Sequence, residues 1–437
     1  MRLRAGAQPE TSAALATGFS SDHCLKCNIC TAACPVMAVS DVFRGPKAVG
    51  PQAQRFRHPR LPVPDDSVSW CSGCGTCTRV CPHGVLVAEI NIQAKARLLE
   101  AKGAPLRDQL LARPELLGRL AHPAAGLANR MLELPLSRWL LDKAFGIASQ
   151  APLPPFAPET LRGSRPENCL DEPPERAPSG SDFVAYFHGC STNYYEPGLG
   201  LLAIGILERL GFTVLLPAQN CCGLPLQSNG LFTAARRYAR SNIEKLAPFA
   251  RAGIPLVGTS TSCTLALKHE YRAVLGLEGS NVEAVADRTR DFFEFLLGEA
   301  AAAIDAVELS SLPFKLLYHA PCQLLGHGMG TPALRVLRRI PGLELEVSRA
   351  ACCGIAGTYG VKSERYETAR AVGEPLFQQA ASSGAALVAS DSETCRWWIE
   401  QHTTLPAVHP LELLACSLGL ESPRVGALLA RLPAPPA

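Results

Sequence analysis

The chain has 437 residues, enough for two to four domains and more than one buried core. Hydrophobic residues make up 47% and charged residues 19%, which excludes a disordered or fibrous chain, and a net charge of +3 is too small to indicate nucleic-acid binding. The balance is uneven. Residues 1–150 hold 18 Lys/Arg against 11 Asp/Glu, and the remainder 24 against 28, so the basic first third suits an acidic partner or an anionic lipid surface.

Residues 1–20 include Arg2 and Arg4 but no apolar run before a cleavage-like site, so no signal peptide is expected. No stretch of about 18 uncharged apolar residues occurs, so no transmembrane helix is expected either. Eighteen cysteines in a long chain of this kind point to metal rather than disulfides.

Their spacing is informative. Cys24, Cys27, Cys30 and Cys34, followed by Pro35, repeat as Cys71, Cys74, Cys77 and Cys81, followed by Pro82. Each run has the spacing of bacterial [4Fe–4S] ferredoxin motifs, in which the fourth cysteine serves the other cluster. The expected sets are Cys24, Cys27, Cys30 and Cys81 for one cluster, and Cys71, Cys74, Cys77 and Cys34 for the other. Zinc is the alternative, but a zinc site needs only four ligands and here a four-cysteine pattern is doubled. No CxxCH occurs, which excludes covalent haem. Residues Gly45 to Asp66 read as an inserted loop, and 85–101 as a helix closing a ferredoxin-like unit over residues 1–100.

From Leu106 to Ile147, leucines recur at helical spacing, interrupted by Pro114, Pro123 and Pro135. Leu136, Trp139, Leu140 and Ile147 fall on one helical face with Arg138 and Lys143 nearby. The segment 101–150 reads as a core layer or partner-docking face, or as a basic amphipathic surface lying on a membrane. Residues 151–182, rich in Pro, Glu and Ser, read as a linker carrying Cys169 as an exposed thiol.

The second half repeats itself. Cys190 and Cys322 stand 132 residues apart, Cys221-Cys222-Gly223 and Cys352-Cys353-Gly354 131 apart, and Cys263 and Cys395 132 apart. Three landmarks in register mean two copies of one unit, expected at 183–300 and 313–425. Apolar runs (254–260, 385–390) alternate with helical patterns (198–210, 364–381), which predicts two small parallel sheets with ligands outside the carboxyl ends of the strands. Two metal sites are expected there: Cys190, Cys221, Cys222 and Cys263, and Cys322, Cys352, Cys353 and Cys395. Thiolates favour iron–sulfur and zinc alike, and composition does not choose between them. Cys416 reads as a small core hydrophobe. His188 and His319, each just before a landmark cysteine, read either as satisfied strand-end residues or as a proton donor or ligand beside the site. Gly198, Gly200 and Ala203 match a dinucleotide fingerprint loosely, but Pro197 and STNYYE spoil the preceding strand. Gly354, Gly357 and Gly360 read as a turn beside the second triplet.

Taken together, these segments resemble the family of iron–sulfur C subunits of anaerobic glycerol-3-phosphate dehydrogenase. Those that carry the resemblance include LPLSRWLLDKAFGI (134–147), NCCGLPLQSNG (220–230), GTSTSCTLALKHEY (258–271), YHAPCQ (318–323), ACCGIAGTYG (351–360) and DSETCRWWIE (391–400). Related chains are glycolate- and lactate-oxidising iron–sulfur subunits and heterodisulfide reductase subunits. The resemblance implies an α-helical dicluster ferredoxin-like domain followed by two tandem α/β CCG domains. It also implies transfer of electrons from flavoprotein dehydrogenase subunits to membrane quinone, and a cytoplasmic location, peripheral on the inner face of the cell membrane. The CCG domains of the heterodisulfide reductase relatives bind non-cubane [4Fe–4S] clusters. This chain departs from the CxxC ending of that pattern: Ser260 and Ser392 occupy its first slot, which leaves four thiolates per copy, with or without a serine oxygen. The readings carried forward are an electron-transfer subunit without a catalytic site of its own, a disulfide reductase acting at a CCG cluster, and a zinc-stabilised interaction module.

Overall fold

The computed structural model describes residues 23–57, 64–175 and 182–430. Arg2 and Arg4, with the rest of the first 22 residues, lie outside the described residues, as do 58–63 of the inserted loop and 176–181 of the expected linker.

Two short helices, α1 (Ile29–Ala32) and α2 (Thr76–Arg79), sit inside the two ferredoxin-like motifs. The motifs are copies of one turn. Lys26 and Asn28 take left-handed conformations (φ 60° and 69°) where the second motif has Gly73 and Gly75 (φ 70° and 75°). Glycine adopts that conformation without a Cβ penalty, whereas in the first motif the fold imposes it on larger residues. Part of the inserted loop forms a helical turn, Ala48–Gln52, whose Val49, Gly50 and Pro51 are buried. The closing helix α3 (Val87–Lys102) is buried on several faces: Ile92 and Ala96 pack into the first repeat, and Ala94 and Leu98 pack with Cys34, Cys71, Cys322 and Cys352. A helix wedged between units carries apolar residues around most of its surface.

Four helices follow: α4 (Leu106–Leu111), α5 (Pro114–Ala121), α6 (Ala125–Glu133) and α7 (Pro135–Phe145). Prolines start α5 and α7 at the first turn, where their missing N–H is harmless, and Gly146 ends α7 in a left-handed cap. Leu136, Trp139 and Leu140 are exposed, Trp139 by 53%. Ile147 departs from the expected helical face: it lies beyond the cap, bridges antiparallel to Lys362 and is buried. The segment is also less basic at its surface than its composition suggests. Arg107 pairs with Glu364, and Arg138 donates to the carbonyls of Ser149 and Ala151.

The second half contains two sheets. In the first, β1 (Cys169–Leu170), β2 (Phe183–Phe187), β3 (Thr213–Pro217), β4 (Leu256–Gly258) and β5 (Thr289–Asp291) run parallel in the order β1-β3-β2-β4-β5. In the second, β6 (Lys315–Tyr318), β7 (Glu344–Val347), β8 (Leu387–Ala389) and β9 (Ala407–Val408) run parallel in the order β7-β6-β8-β9. With β1 set aside, the two orders are the same, as a duplicated unit requires. β1 comes from the segment read as a linker, and its Cys169 is not an exposed thiol: it is half-buried, with Sγ 3.6 Å from the carbonyl of Arg165. The repeats share a core in which Tyr186, Ile204 and Leu207 of the first meet Tyr318, Leu411 and Leu414 of the second. Glu196 of the first repeat accepts from Arg396 and from the indole of Trp397 in the second. No helix among the described residues is long and apolar enough to cross a membrane.

Candidate metal centres

In the ferredoxin-like unit, the structure brings Cys30 beside Cys24, Cys27 and Cys81 around a small cavity of about 20 Å³. Burial pushes the Cys30 thiol up, and the charges of these three neighbours add to the effect. Cys34 sits instead with the second motif. Burial pushes it up to about 12, with Cys74 and Cys71 contributing, and Cys77 is raised by burial and then by Cys71, Cys74 and Cys34. Cys27 is exposed at the surface, whereas Cys34, Cys71 and Cys77 are buried. The second group adjoins the second repeat, where the Arg79 guanidinium donates to the carbonyls of Cys74 (3.1 Å) and Cys322 (3.3 Å).

In both repeats the landmark cysteines follow the carboxyl ends of strands. Cys190 follows β2, the 221–222 pair follows β3, and Cys263 lies on the short helix after β4; Cys322, the 352–353 pair and Cys395 follow β6, β7 and β8. Cys190 Sγ lies 3.6 Å from Cys221 Sγ, and Cys353 Sγ lies 3.1 Å from Cys395 Sγ. The electrostatic pattern is the same twice. The first cysteine of each pair is held well below its usual range by hydrogen bonds from its flanking thiols, Cys190 and Cys222 for Cys221, and Cys322 and Cys353 for Cys352. The donating thiols are pushed well up, by those same hydrogen bonds and then by burial. Closely packed buried thiols resist becoming thiolates together, and a bound cationic centre removes that penalty, so these donor sets fit an iron–sulfur group or zinc.

The two serines are engaged elsewhere. Ser260 Oγ donates to Glu393 Oε2 of the other repeat at 3.2 Å, and Ser392 Oγ pairs with Thr394 Oγ1 at 3.3 Å. His188 and His319 are buried, and burial lowers both to about 4. His188 Nδ1 is 2.6 Å from the Gly189 carbonyl, whereas His319 has no hydrogen-bond partner on either nitrogen among the described residues. Gly198, Gly200 and Ala203 lie within the helix Pro197–Arg209, with Pro197 in its first turn. Gly354 and Gly357 take positive φ in the turn after the second pair.

Some supporting residues left no signal in the sequence. Glu115 of α5 accepts from the Cys221 backbone N–H at 2.9 Å. Asn242 donates to the Cys221 carbonyl at 3.0 Å, and Tyr271 to the Cys222 carbonyl at 2.8 Å. Gly373 takes the place of Asn242 in the second repeat, and a Cβ there would lie 2.2 Å from the Cys353 carbonyl oxygen. One repeat grips its cysteine loop with a side chain, and the other by close backbone approach.

Both repeat sites, together with Cys71 and Cys74, face one cavity of about 440 Å³, covered by Leu111, Leu117, Leu141 and Phe156. A helical double cysteine motif joined to two parallel-sheet repeats, with their thiols facing a common cavity, defines an iron–sulfur protein. Residues 20–85 match the 4Fe-4S dicluster domain family, and residues 184–268 and 316–400 each match the cysteine-rich domain family. The chain is 38% identical over 404 residues to the C subunit of the anaerobic glycerol-3-phosphate dehydrogenase of Escherichia coli K12, covering 91% of this chain and 99% of that one. It is 25% identical over 406 residues to the D subunit of the dihydromethanophenazine:CoB–CoM heterodisulfide reductase of Methanosarcina acetivorans, covering 86% and 87%. With the D-2-hydroxyglutarate dehydrogenase of Pseudomonas putida it shares 28% over 367 residues, covering 80% of this chain and 34% of that longer protein. The chain belongs to the family of C subunits of anaerobic glycerol-3-phosphate dehydrogenase.

Proposed function

We propose that the chain is the electron-transfer subunit of a dehydrogenase complex, taking electrons from a flavoprotein that oxidises glycerol 3-phosphate and passing them towards membrane quinone. The observation that supports this best is the succession of thiols: from exposed Cys27, through the buried group at Cys71, Cys74, Cys77 and Cys34, to Cys322 beside Arg79. Cys24, Cys27, Cys30 and Cys81 would hold one [4Fe–4S] cluster, and Cys71, Cys74, Cys77 and Cys34 the other. Cys190, Cys221, Cys222 and Cys263, and Cys322, Cys352, Cys353 and Cys395, would hold the groups of the repeats. Bound there, such clusters supply one-electron carriers. The protein's part is to fix their separation, keep water out and tune their potentials through burial and hydrogen bonds such as Gly354 N–H to Cys352 Sγ (3.3 Å).

The exposed apolar side chains of α4–α7, among them Leu120, Leu127, Leu136 and Trp139, favour a peripheral seat on the inner face of the cell membrane. The test mixes the anaerobically purified chain with flavoproteins that oxidise glycerol 3-phosphate or 2-hydroxy acids, each with its substrate, and follows bleaching of the iron–sulfur absorbance. Glycerol 3-phosphate should bleach it, and bleaching by 2-hydroxy acids alone would overturn the choice of substrate. The cavity between the two repeat sites also supports a second reading, a disulfide reductase, for which reduction of a heterodisulfide by the chemically reduced chain is the test.

A further inference from the structure

The geometry points to His319 as a nitrogen ligand of the iron–sulfur group held by Cys322, Cys352, Cys353 and Cys395. This rests on the reading above that the second repeat carries such a group. A ligand atom of His319 lies within 4.8 Å of the sulfurs of Cys353 and Cys395, and all three residues are buried. Its backbone is fixed by the sheet: His319 follows β6 directly, and its N–H donates to the Ala389 carbonyl of β8 at 2.8 Å.

Neither ring nitrogen has a hydrogen-bond partner among the described residues, although the residue is only 1% exposed. Buried polar atoms are nearly always satisfied, so an imidazole with both nitrogens unmatched beside two thiols is built for a partner of another kind. Imidazole is a suitable ligand for iron. The repeat provides its own control. In the first copy His188 occupies the equivalent place and its Nε2 is likewise buried without a partner, but among the described residues its ring does not come together with two thiols as that of His319 does. The serine oxygen near the second site, Ser392 Oγ, is paired with Thr394 Oγ1. Other histidines are committed elsewhere: His327 Nε2 bonds the Thr261 carbonyl, and His409 the Leu411 N–H and the Thr259 carbonyl.

The test uses the full chain, purified anaerobically from cells fed ¹⁵N-histidine, with iron counted and the reduced protein examined by pulsed electron paramagnetic resonance. Iron above about eight atoms per chain, the content of two four-iron clusters, together with a strongly coupled histidine nitrogen, is expected. His319→Gln should abolish that coupling, His188→Gln should leave it, and His319→Cys should keep the iron while replacing the nitrogen signal. Iron above about eight with no histidine coupling, or a coupling that survives His319→Gln, overturns the assignment, and the cluster of the second repeat is left standing if Cys353→Ser lowers that iron. Iron near eight in the wild type overturns the cluster of the second repeat, and the ligand with it. Because the first measurement is made on the wild type, failure of a variant to fold does not shield the assignment.

Discussion

Lys362 Nζ lies 2.8 Å from Asp108 Oδ2 and 2.8 Å from Asn229 Oδ1, so one buried ammonium joins α4, the first repeat and the second repeat. Both partners of the ion pair are nearly closed to solvent, with side chains 6% and 9% exposed. Removing one member of such a pair leaves an uncompensated charge, so Asp108→Ala should destabilise the chain by about 3–5 kcal/mol in denaturant unfolding. Asp108→Leu combined with Lys362→Met should restore most of that, because neither charge then has to be buried. A double variant as unstable as the single one would show that the pair is not what holds the three parts together.

The same pair sets an acid limit. Burial alone would raise the Asp108 carboxyl, but the Lys362 ammonium and the Arg107 guanidinium outweigh it and hold the group below its usual range. A carboxyl depressed in the folded state contributes stability that is present above its unfolded value of about 3.9 and is lost as pH falls through the lower folded value. Wild type should therefore lose stability below about pH 4 by a component missing from the double variant. Unfolding midpoints measured from pH 2.5 to 6 check this.

Glu270 acts in the opposite direction. It faces the cavity, and burial pushes it up to about 7 despite a hydrogen bond from Gln227 Nε2 at 2.9 Å. A raised carboxyl contributes stability that is complete below its unfolded value of about 4.3 and is lost as pH rises through about 7. Glu270→Gln should be more stable than wild type at pH 8, by about 3–4 kcal/mol at most, and indistinguishable from it near pH 4. Equal differences at both values would assign the effect to packing rather than to charge.

The glycines of the two CCG triplets should not respond alike. Both have positive φ, 83° for Gly223 and 102° for Gly354. A Cβ on Gly223 would meet the Ala235 carbonyl oxygen at 3.4 Å, but on Gly354 it would lie 1.9 Å from that of Ala369. Gly223→Ala should cost about 1–2 kcal/mol, from backbone strain alone. Gly354→Ala adds a backbone collision and should cost more than about 3 kcal/mol. Equal losses in thermal unfolding would contradict this.

Cys81→Ser separates the crossed arrangement from a sequential one. Its effect should fall on the cluster of Cys24, Cys27 and Cys30 and leave that of Cys71, Cys74 and Cys77 intact, as read by electron paramagnetic resonance of the reduced variant. Loss of the latter signal would mean that each motif serves its own cluster.

The helical face should bind vesicles containing anionic lipid, weakly and with some salt dependence. With Arg107 and Arg138 turned inward, exposed Arg119, Arg130 and Lys143 remain, at roughly 1 kcal/mol each near such a surface. Binding should fall with salt without vanishing, and Trp139→Glu with Leu136→Glu should abolish it. No binding by the wild type at any salt would make this face a seat for partner subunits instead.

Much of the architecture is legible in the sequence because it repeats. The 131- and 132-residue offsets of the cysteine landmarks reappear as two matching strand orders, and the two ferredoxin-like turns match residue for residue. Single contacts between distant segments leave no such trace. Glu115 meeting Cys221, Lys362 meeting Asp108, and the recruitment of Cys169 to a sheet edge carry no period and no motif. Ile147 departs from its expected face for a related reason: helical spacing continues past Gly146, but the left-handed cap there ends the helix.

Seven of the eight repeat cysteines are closed to solvent, beneath a cover contributed by α4–α7 and Phe156. A group several ångströms across would have to displace those side chains to pass, so a chain that has already packed its 106–156 segment should take up metal more slowly than one that folds around it.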